Sequence, residues 1–152
     1  KAMADRLQPA GGIYFMMDEA DVQTILKHPR SMIGSDGLPS DTHPHPRLWG
    51  TFPRVLGHYS RDLKLFPLET AVHKMTGMSA RHFGLVDRGE IREGAFADMV
   101  LFSADDIIDT ANFDAPATPA RGIRSVFVNG RKVYADGQAT GARPGQVLRR
   151  PD

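Results

Sequence analysis

Cysteine is absent from the 152 residues. The chain therefore carries no disulfide framework, no thiolate metal ligand and no thiol nucleophile, which fits a reducing compartment, and a cytoplasmic location is expected. No apolar run approaches the roughly 20 residues of a membrane-spanning helix, so no membrane partner is expected. Charge of one sign is also lacking: 19 Lys and Arg stand against 18 Asp and Glu, leaving +1. That balance offers no electrostatic footprint for nucleic acid or an anionic bilayer. The opening Lys1-Ala2-Met3-Ala4-Asp5 has neither an initiating Met nor an apolar leader, and the chain reads as a piece cut from something longer. No internal repeat or low-complexity tract is present.

What is present is ordinary globular material: 41% hydrophobic and 24% charged residues, enough for a domain with a core. Gly11-Gly12 precedes Ile13-Tyr14-Phe15-Met16-Met17, a short apolar run without alternation, as in a strand buried on both faces. Asp18 suits an N-cap, with Glu19 and Asp21 in the first turn of a helix carrying Val22, Ile25 and Leu26 and ending near Lys27-His28 before Pro29. Ser31-Met32-Ile33-Gly34-Ser35 predicts a second strand, stopped by Asp36-Gly37. Strand, helix and strand in this order are a βαβ unit, whose strands need neighbours that the chain does not obviously supply.

A loop rich in Pro, Asp and His follows. Trp49, Phe52, Leu56 and Tyr59 fall on one helical stripe and predict a core-facing helix with a kink or restart at Pro53. A further helix is expected from about Pro67 to Met75 with Gly77 as its C-cap, then a short helical turn over Ser79–Phe83 ended by Gly84. His58, His73 and His82 lie in these helical stretches and read as surface or satisfied polar groups. Beyond Leu85 the character becomes β. Ile91, Ala97–Phe102 and Ile123–Val128 read as strands, and Asn129-Gly130 signals a type I′ hairpin into Lys132-Val133-Tyr134. Residues 103–121 form a connection with room for one short helix, and the Gly-, Arg- and Pro-rich tail belongs on the surface. The layout is an α/β piece over 1–84 followed by a small antiparallel β piece over 85–152.

Asp36 is the first residue with a chemical position. It sits just past the carboxyl end of a predicted parallel strand, where α/β folds place their sites, with Gly34 and Gly37 beside it. The plain alternative is that Asp36-Gly37 is only a turn. Ser35 lacks an evident base partner, and Gly34-Ser35-Asp36-Gly37 is not a nucleophile elbow.

The segment Ile33-Gly34-Ser35-Asp36-Gly37-Leu38-Pro39 with His43-Pro44-His45-Pro46-Arg47 resembles the stretch after the eighth barrel strand of N-acyl-D-amino-acid deacylases (D-aminoacylases). Arg88 to Phe102 (Arg88-Gly89-Glu90-Ile91-Arg92-Glu93-Gly94-Ala95-Phe96-Ala97-Asp98-Met99-Val100-Leu101-Phe102) resembles the barrel-to-β-domain signature of the wider metal-dependent amidohydrolase superfamily. With Arg143-Pro144-Gly145-Gln146-Val147-Leu148-Arg149-Arg150, the resemblance covers nearly the whole chain. It implies a (β/α)8 (TIM) barrel with a small β-domain built from both chain ends. This chain would hold the last two strand-helix units, in 1–84, and the C-terminal share of the β-domain and tail, in 85–152.

The resemblance also implies a reaction: hydrolysis of the linear amide of N-acyl-D-amino acids to a carboxylate and a free D-amino acid by a zinc-activated water. Asp36 would be general base and acid and a possible metal ligand. Arg47 would grip the substrate carboxylate, since a guanidinium binds one in paired hydrogen bonds; the plain alternative is a solvated Arg at a helix start. The implied partners are the small-molecule substrate and the remainder of the parent chain. The other metal ligands would lie outside this chain, so the isolated chain is expected to be inactive. His43 and His45 form a His-x-His pair, but in a Pro-broken loop rather than at the end of a first strand, and are expected to lie in a Pro-stiffened loop near the mouth of the site instead of binding zinc. Alternatives within the class are an N-acyl-D-glutamate or N-acyl-D-aspartate deacylase and, more distantly, a hydantoinase-like hydrolase of cyclic amides. From another class, the chain would be a non-catalytic fragment or association module.

Overall fold

The computed structural model describes residues 13–39 and 43–149. Lys1–Asp5, Gly11-Gly12 and Arg150 lie outside the described residues. Four α-helices precede a four-stranded antiparallel sheet. Helix α1 is Glu19–Lys27, and Asp18 caps it as expected, its carboxylate accepting the Ala20 amide at 2.8 Å. Acidic Glu19 and Asp21 stand in the first turn and Lys27 in the last, matching the helix dipole.

The two strands expected around α1 are not formed as strands. Residues 13–17 and 31–35 run without a ladder among the described residues. The reason is non-local: a strand exists through its hydrogen-bonded neighbours, and an extended run cannot close such bonds within itself. Tyr14, Phe15 and Met16 are accordingly 80–84% exposed. The Ile33 amide finds a different partner, the Lys74 carbonyl, at 3.3 Å.

Helix α2, Arg47–Arg54, continues through Pro53 into a π-helical stretch, Val55–Asp62. A kink or restart was expected at Pro53; the residue lies inside α2, and a widening to π geometry begins two residues later. A proline removes one helical donor and crowds the carbonyl a turn back, and a π-bulge is one way a helix absorbs such a defect. The expected Trp49–Phe52–Leu56–Tyr59 core stripe is only half right. Leu56 and Tyr59 are buried, but Trp49 and Phe52 are each 43% exposed. The face that packs is built from small residues. A Cβ on Gly57 would lie 2.2 Å from the Ile107 carbonyl oxygen, and one on Gly50 would lie 3.1 Å from the Asp109 Cβ. At these two points side-chain volume is excluded, while Val55, Leu56 and Tyr59 fill the core beside them.

Helix α3 is Leu68–Met75 and α4 is Gly77–Phe83. Gly77 opens α4 and does not cap α3; Thr76 occupies the junction in a non-helical conformation. Gly84 ends α4 in the left-handed region, φ 68°, as expected. Ile91 is 91% exposed and outside any strand.

The sheet runs β1 Met99–Phe102, β2 Ile123–Val128, β3 Arg131–Ala135 and β4 Gln138–Ala139, each paired antiparallel with the next. The Asn129-Gly130 turn has φ 46° and 76°, the positive pair that a type I′ hairpin requires. β1 is an end strand of this order. The 103–121 connection holds no helix; it is closed by a bridge between Ile108 and Arg121. One core joins both halves of the chain. Val55, Leu56, Tyr59, Phe66 and Ala71 from the helical half meet Ile107, with Phe102 and Ile123 packed alongside.

Candidate functional site

Asp36 ends the 31–35 segment with φ 47°. L-residues avoid that region, but Asp and Asn tolerate it because a short polar side chain can bond locally. Next to it the Gly37 amide donates to the Ser35 hydroxyl at 3.2 Å. A Cβ on Gly37 would lie 2.7 Å from the Leu48 Cδ1 and 2.8 Å from the Leu48 Cα. Only glycine lets the first turn of α2 close onto the chain beside Asp36.

That closure brings Arg47 to Asp36. The Arg47 Nη2 lies 2.8 Å from the Asp36 Oδ2, and its Nε donates to the Asp36 backbone oxygen at 2.8 Å. The two residues singled out from the sequence therefore meet, and the guanidinium grips this aspartate by both side chain and main chain. The Asp36 side chain is 82% exposed, so it stays open to a ligand, and a pair so exposed adds little stability.

The His-Pro-His-Pro loop sets the position of Arg47. The His45 Nδ1 accepts the Arg47 amide at 3.0 Å, satisfying an orphan donor at the start of α2. Burial lowers the His45 pKa below the usual histidine value, and the nearby Arg47 charge lowers it further. Both fit a neutral ring whose Nδ1 is an acceptor. The His43 Nε2 donates to the Phe113 carbonyl at 2.9 Å, and the His45 ring meets the Phe113 ring edge-on at 5.2 Å. His43 and His45 thus tie the Pro-rich loop to Phe113 in the 103–121 connection.

Among the described residues no group of three His, Cys, Asp or Glu side chains could hold a metal ion. Asp36 offers one exposed carboxylate, so by themselves these residues do not make a zinc site. A hollow of about 380 Å³, lined by Leu56, Arg61, Phe66 and Ala104 among others, includes neither Asp36 nor Arg47.

In the β half, Asp98 and Arg88 form an ion pair. Asp98 accepts the Asn129 amide at 2.8 Å, Arg88 donates to the Asn129 side-chain oxygen at 2.9 Å, and the Asn129 amide group donates to the Pro144 carbonyl at 2.7 Å. Arg88 also lies over the Phe96 ring at 4.1 Å. This network ties the hairpin turn to the tail and accounts physically for the Arg and Asp of the 88–102 segment; it is structural.

Sequence reading missed Lys74. It is 2% exposed and donates to the carbonyls of His28 at 2.6 Å and Ser31 at 3.0 Å. The only available signal was its spacing of three from core residue Ala71, which does not separate a buried lysine from a flanking one.

The amidohydrolase family profile matches residues 1–134. The chain is 62% identical over 144 residues to D-aminoacylase of Alcaligenes xylosoxydans xylosoxydans, covering 95% of this chain and 30% of that protein. It is 56% identical over 149 residues to N-acyl-D-aspartate deacylase of the same organism, covering 97% of this chain and 30% of that protein. A D-aminoacylase structure with a binuclear metal centre matches with a TM-score of 0.94 at 60% identity, over 98% of this chain and 31% of that one. N-acyl-D-glutamate deacylase from Bordetella bronchiseptica, complexed with zinc and a phosphonate mimic of the tetrahedral intermediate, matches with a TM-score of 0.90 at 53% identity, over 97% of this chain and 31% of that one. The chain thus spans about a third of the length of the relatives it matches.

Proposed function

The chain belongs to the amidohydrolase family, and from that premise we propose that it is part of an enzyme that hydrolyses the amide bond of N-acyl-D-amino acids. The observation that carries this reading is the 62% identity to D-aminoacylase across 95% of the chain. In this reading, residues 1–84 are the C-terminal part of a TIM barrel, its last two strand-helix units, and residues 85–152 are the C-terminal share of a small β-domain. The exposed run at Tyr14–Met16 supports that division, because barrel strands bury such side chains against the rest of a barrel. The isolated chain would be inactive, since the described residues hold no complete metal site.

Asp36 is the proton carrier. Its carboxylate takes a proton from the attacking water as the water oxygen bonds to the amide carbon, then delivers it to the nitrogen as the C–N bond breaks. A carboxylic acid and a neutral amine result, and the acid's proton then passes to the amine to leave a carboxylate and an ammonium; without the delivery from Asp36 the nitrogen would have to leave as an anion. A zinc ion, of the kind in the N-acyl-D-glutamate deacylase structure, would supply an acidic water. Its ligands, apart from a possible Asp36, would come from the remainder of the parent chain. Arg47 binds the substrate carboxylate. Its planar fork already binds a carboxylate bordering this position, that of Asp36, at 2.8 Å.

A second reading keeps the chemistry and changes the substrate to N-acyl-D-aspartate or N-acyl-D-glutamate, which the 56% identity to the aspartate enzyme favours. Amine release by the full-length gene product from N-acetyl-D-methionine, N-acetyl-D-aspartate, N-acetyl-D-glutamate and their L-enantiomers separates the readings. Turnover of the D-methionine derivative in preference to the acidic ones is expected. No turnover of any D-derivative by zinc-loaded protein would refute the enzyme reading and favour the non-catalytic one.

A further inference from the structure

Lys74 is one of the two most completely buried large side chains among the described residues, and it faces no carboxylate. Its ammonium donates to the His28 carbonyl at 2.6 Å and to the Ser31 carbonyl at 3.0 Å. His28 is the C-cap of α1, so the charge sits at the negative end of the helix dipole. Ser31 opens the extended segment that ends in Asp36. The same lysine holds that segment from its main chain, for the Ile33 amide donates to the Lys74 carbonyl at 3.3 Å. The Ser79 hydroxyl donates to that carbonyl too, at 3.2 Å, tying the first turns of α4 to the same point.

The turn itself is closed locally. The Ser31 amide donates to the His28 carbonyl at 3.1 Å, the Ser31 hydroxyl to the Ile25 carbonyl at 2.7 Å and the Arg30 amide to the His28 Nδ1 at 3.2 Å. These bonds fix the shape of the turn but not its place against α3. Among the hydrogen bonds of the described residues, only those of the two ends of Lys74 bridge from α3 to the turn and to the segment beyond it.

Burying a charge is costly, and a well-packed apolar residue in its place is often as stable or more so. Desolvation here lowers the Lys74 pKa below the ordinary lysine value, in keeping with that cost. A methionine on α3 would fill much of the same space. What it would lack is a donor that fixes two carbonyls of a neighbouring segment at defined distances.

We infer that Lys74 is a positioning residue, whose buried ammonium sets the place of the segment carrying Asp36. The inference rests on the role proposed for Asp36, but its first test does not. Hydrogen–deuterium exchange of the full-length gene product, wild type against Lys74→Met, reads the placement directly. Exchange of peptides spanning 29–37 is expected to rise about tenfold in the variant, with β2 and β3 unchanged. Unchanged exchange over 29–37, or a uniform rise across the protein, would overturn the proposal.

Kinetics supply the second test. The variant is expected to lose about tenfold in kcat on N-acetyl-D-methionine with KM within twofold. An unchanged kcat with raised KM would also overturn it. A wild-type protein inactive on every N-acyl-D-amino acid would count against the proposed function alone, and exchange would then decide the role of Lys74. Should Lys74→Met fail to fold, Lys74→Gln, which keeps an uncharged NH2 donor, is read by the same two measurements, with a smaller rise in exchange expected.

Discussion

The sheet and the extended segments ahead of it use the same backbone chemistry in opposite ways. β2 and β3 are joined by the Asn129-Gly130 turn, and each strand of the sheet pairs with the next along the chain. β2, β3 and β4 complete their hydrogen bonds with residues close in sequence, and β1 pairs with β2 across the 103–121 connection. Residues 13–17 and 31–35 are extended too, yet they form no ladder among the described residues and leave large apolar side chains outward. The difference shows that strand formation follows the presence of a partner as much as the residues themselves. Asp36, the proton carrier in the function proposed above, stands at the end of a segment without such a partner among the described residues, whereas the strands of the sheet pair with one another.

The sharpest test of that division is to change Asp36 alone. In the full-length gene product, Asp36→Asn is expected to lower kcat by about 10²–10⁴-fold, because the amide keeps the shape but cannot carry a proton. Far-ultraviolet circular dichroism should be unchanged. A variant retaining more than about a tenth of wild-type kcat would remove Asp36 from the mechanism.

Arg47 comes next. Hydrogen bonds to charged groups are worth about 1.5–3 kcal/mol, so Arg47→Ala should lower kcat/KM by roughly ten- to a hundredfold on the acid substrate. The loss should be far smaller when the substrate carboxylate is replaced by a neutral amide. Equal losses on both would show that Arg47 serves only to hold Asp36 and the start of α2. Thermal stability should move little, since the Asp36–Arg47 pair is exposed.

A third change attacks the joint between the two halves. Gly57→Val would drive a side chain into the Ile107 carbonyl, which a Cβ would approach to 2.2 Å. Overpacking of this kind costs about 1–3 kcal/mol and should lower the urea midpoint of the full-length product. Gly130→Ala confines the damage to the hairpin, where φ is 76°. It should cost about 1–2 kcal/mol and leave kcat unchanged. Loss of kcat there would mean that the sheet reaches the chemistry after all.

The smallest effect concerns acid. The His45 pKa is lowered in the folded protein, so around and below its ordinary value of 6.5 the unfolded chain binds more protons. The stability contributed by the neutral ring is present above that value and lost as pH falls through the folded pKa. The melting midpoint should drift down as pH falls from about 7 to 5. His45→Asn keeps an acceptor for the Arg47 amide without titrating and should flatten that drift. An unchanged slope would show that His45 is not the group responsible.

Local signals were legible in the sequence wherever the determinants were local. Asp18 as a cap, Gly84 as a left-handed helix end and Asn129-Gly130 as a hairpin each depend on a few adjacent residues, and each is found. Asp36 and Arg47 were picked out by type, position and resemblance, and the structure brings them within 2.8 Å of each other. The exposure of Trp49 and Phe52 was not legible, because the close approaches that orient α2 and the π-helical stretch are made at Gly50 and Gly57, whose partners Asp109 and Ile107 lie far along the chain. The strands at 13–17 and 31–35 were read from composition, which is silent about neighbours. Lys74 was invisible because its acceptors are main-chain carbonyls, which leave no mark on residue type.

The end position of β1 has a practical consequence for anyone producing this chain by itself. Its residues, Met-Val-Leu-Phe, carry no charge, and Val100 and Leu101 are 52% and 57% exposed. Asp98, just ahead of them, is occupied by Arg88 and the Asn129 amide and so is a poor gatekeeper against edge-to-edge stacking. At high concentration such an edge recruits another like it, and turbidity growing steeply with concentration is the expected behaviour. A lysine in place of Val100 should delay that onset, making the 152-residue chain easier to keep in solution.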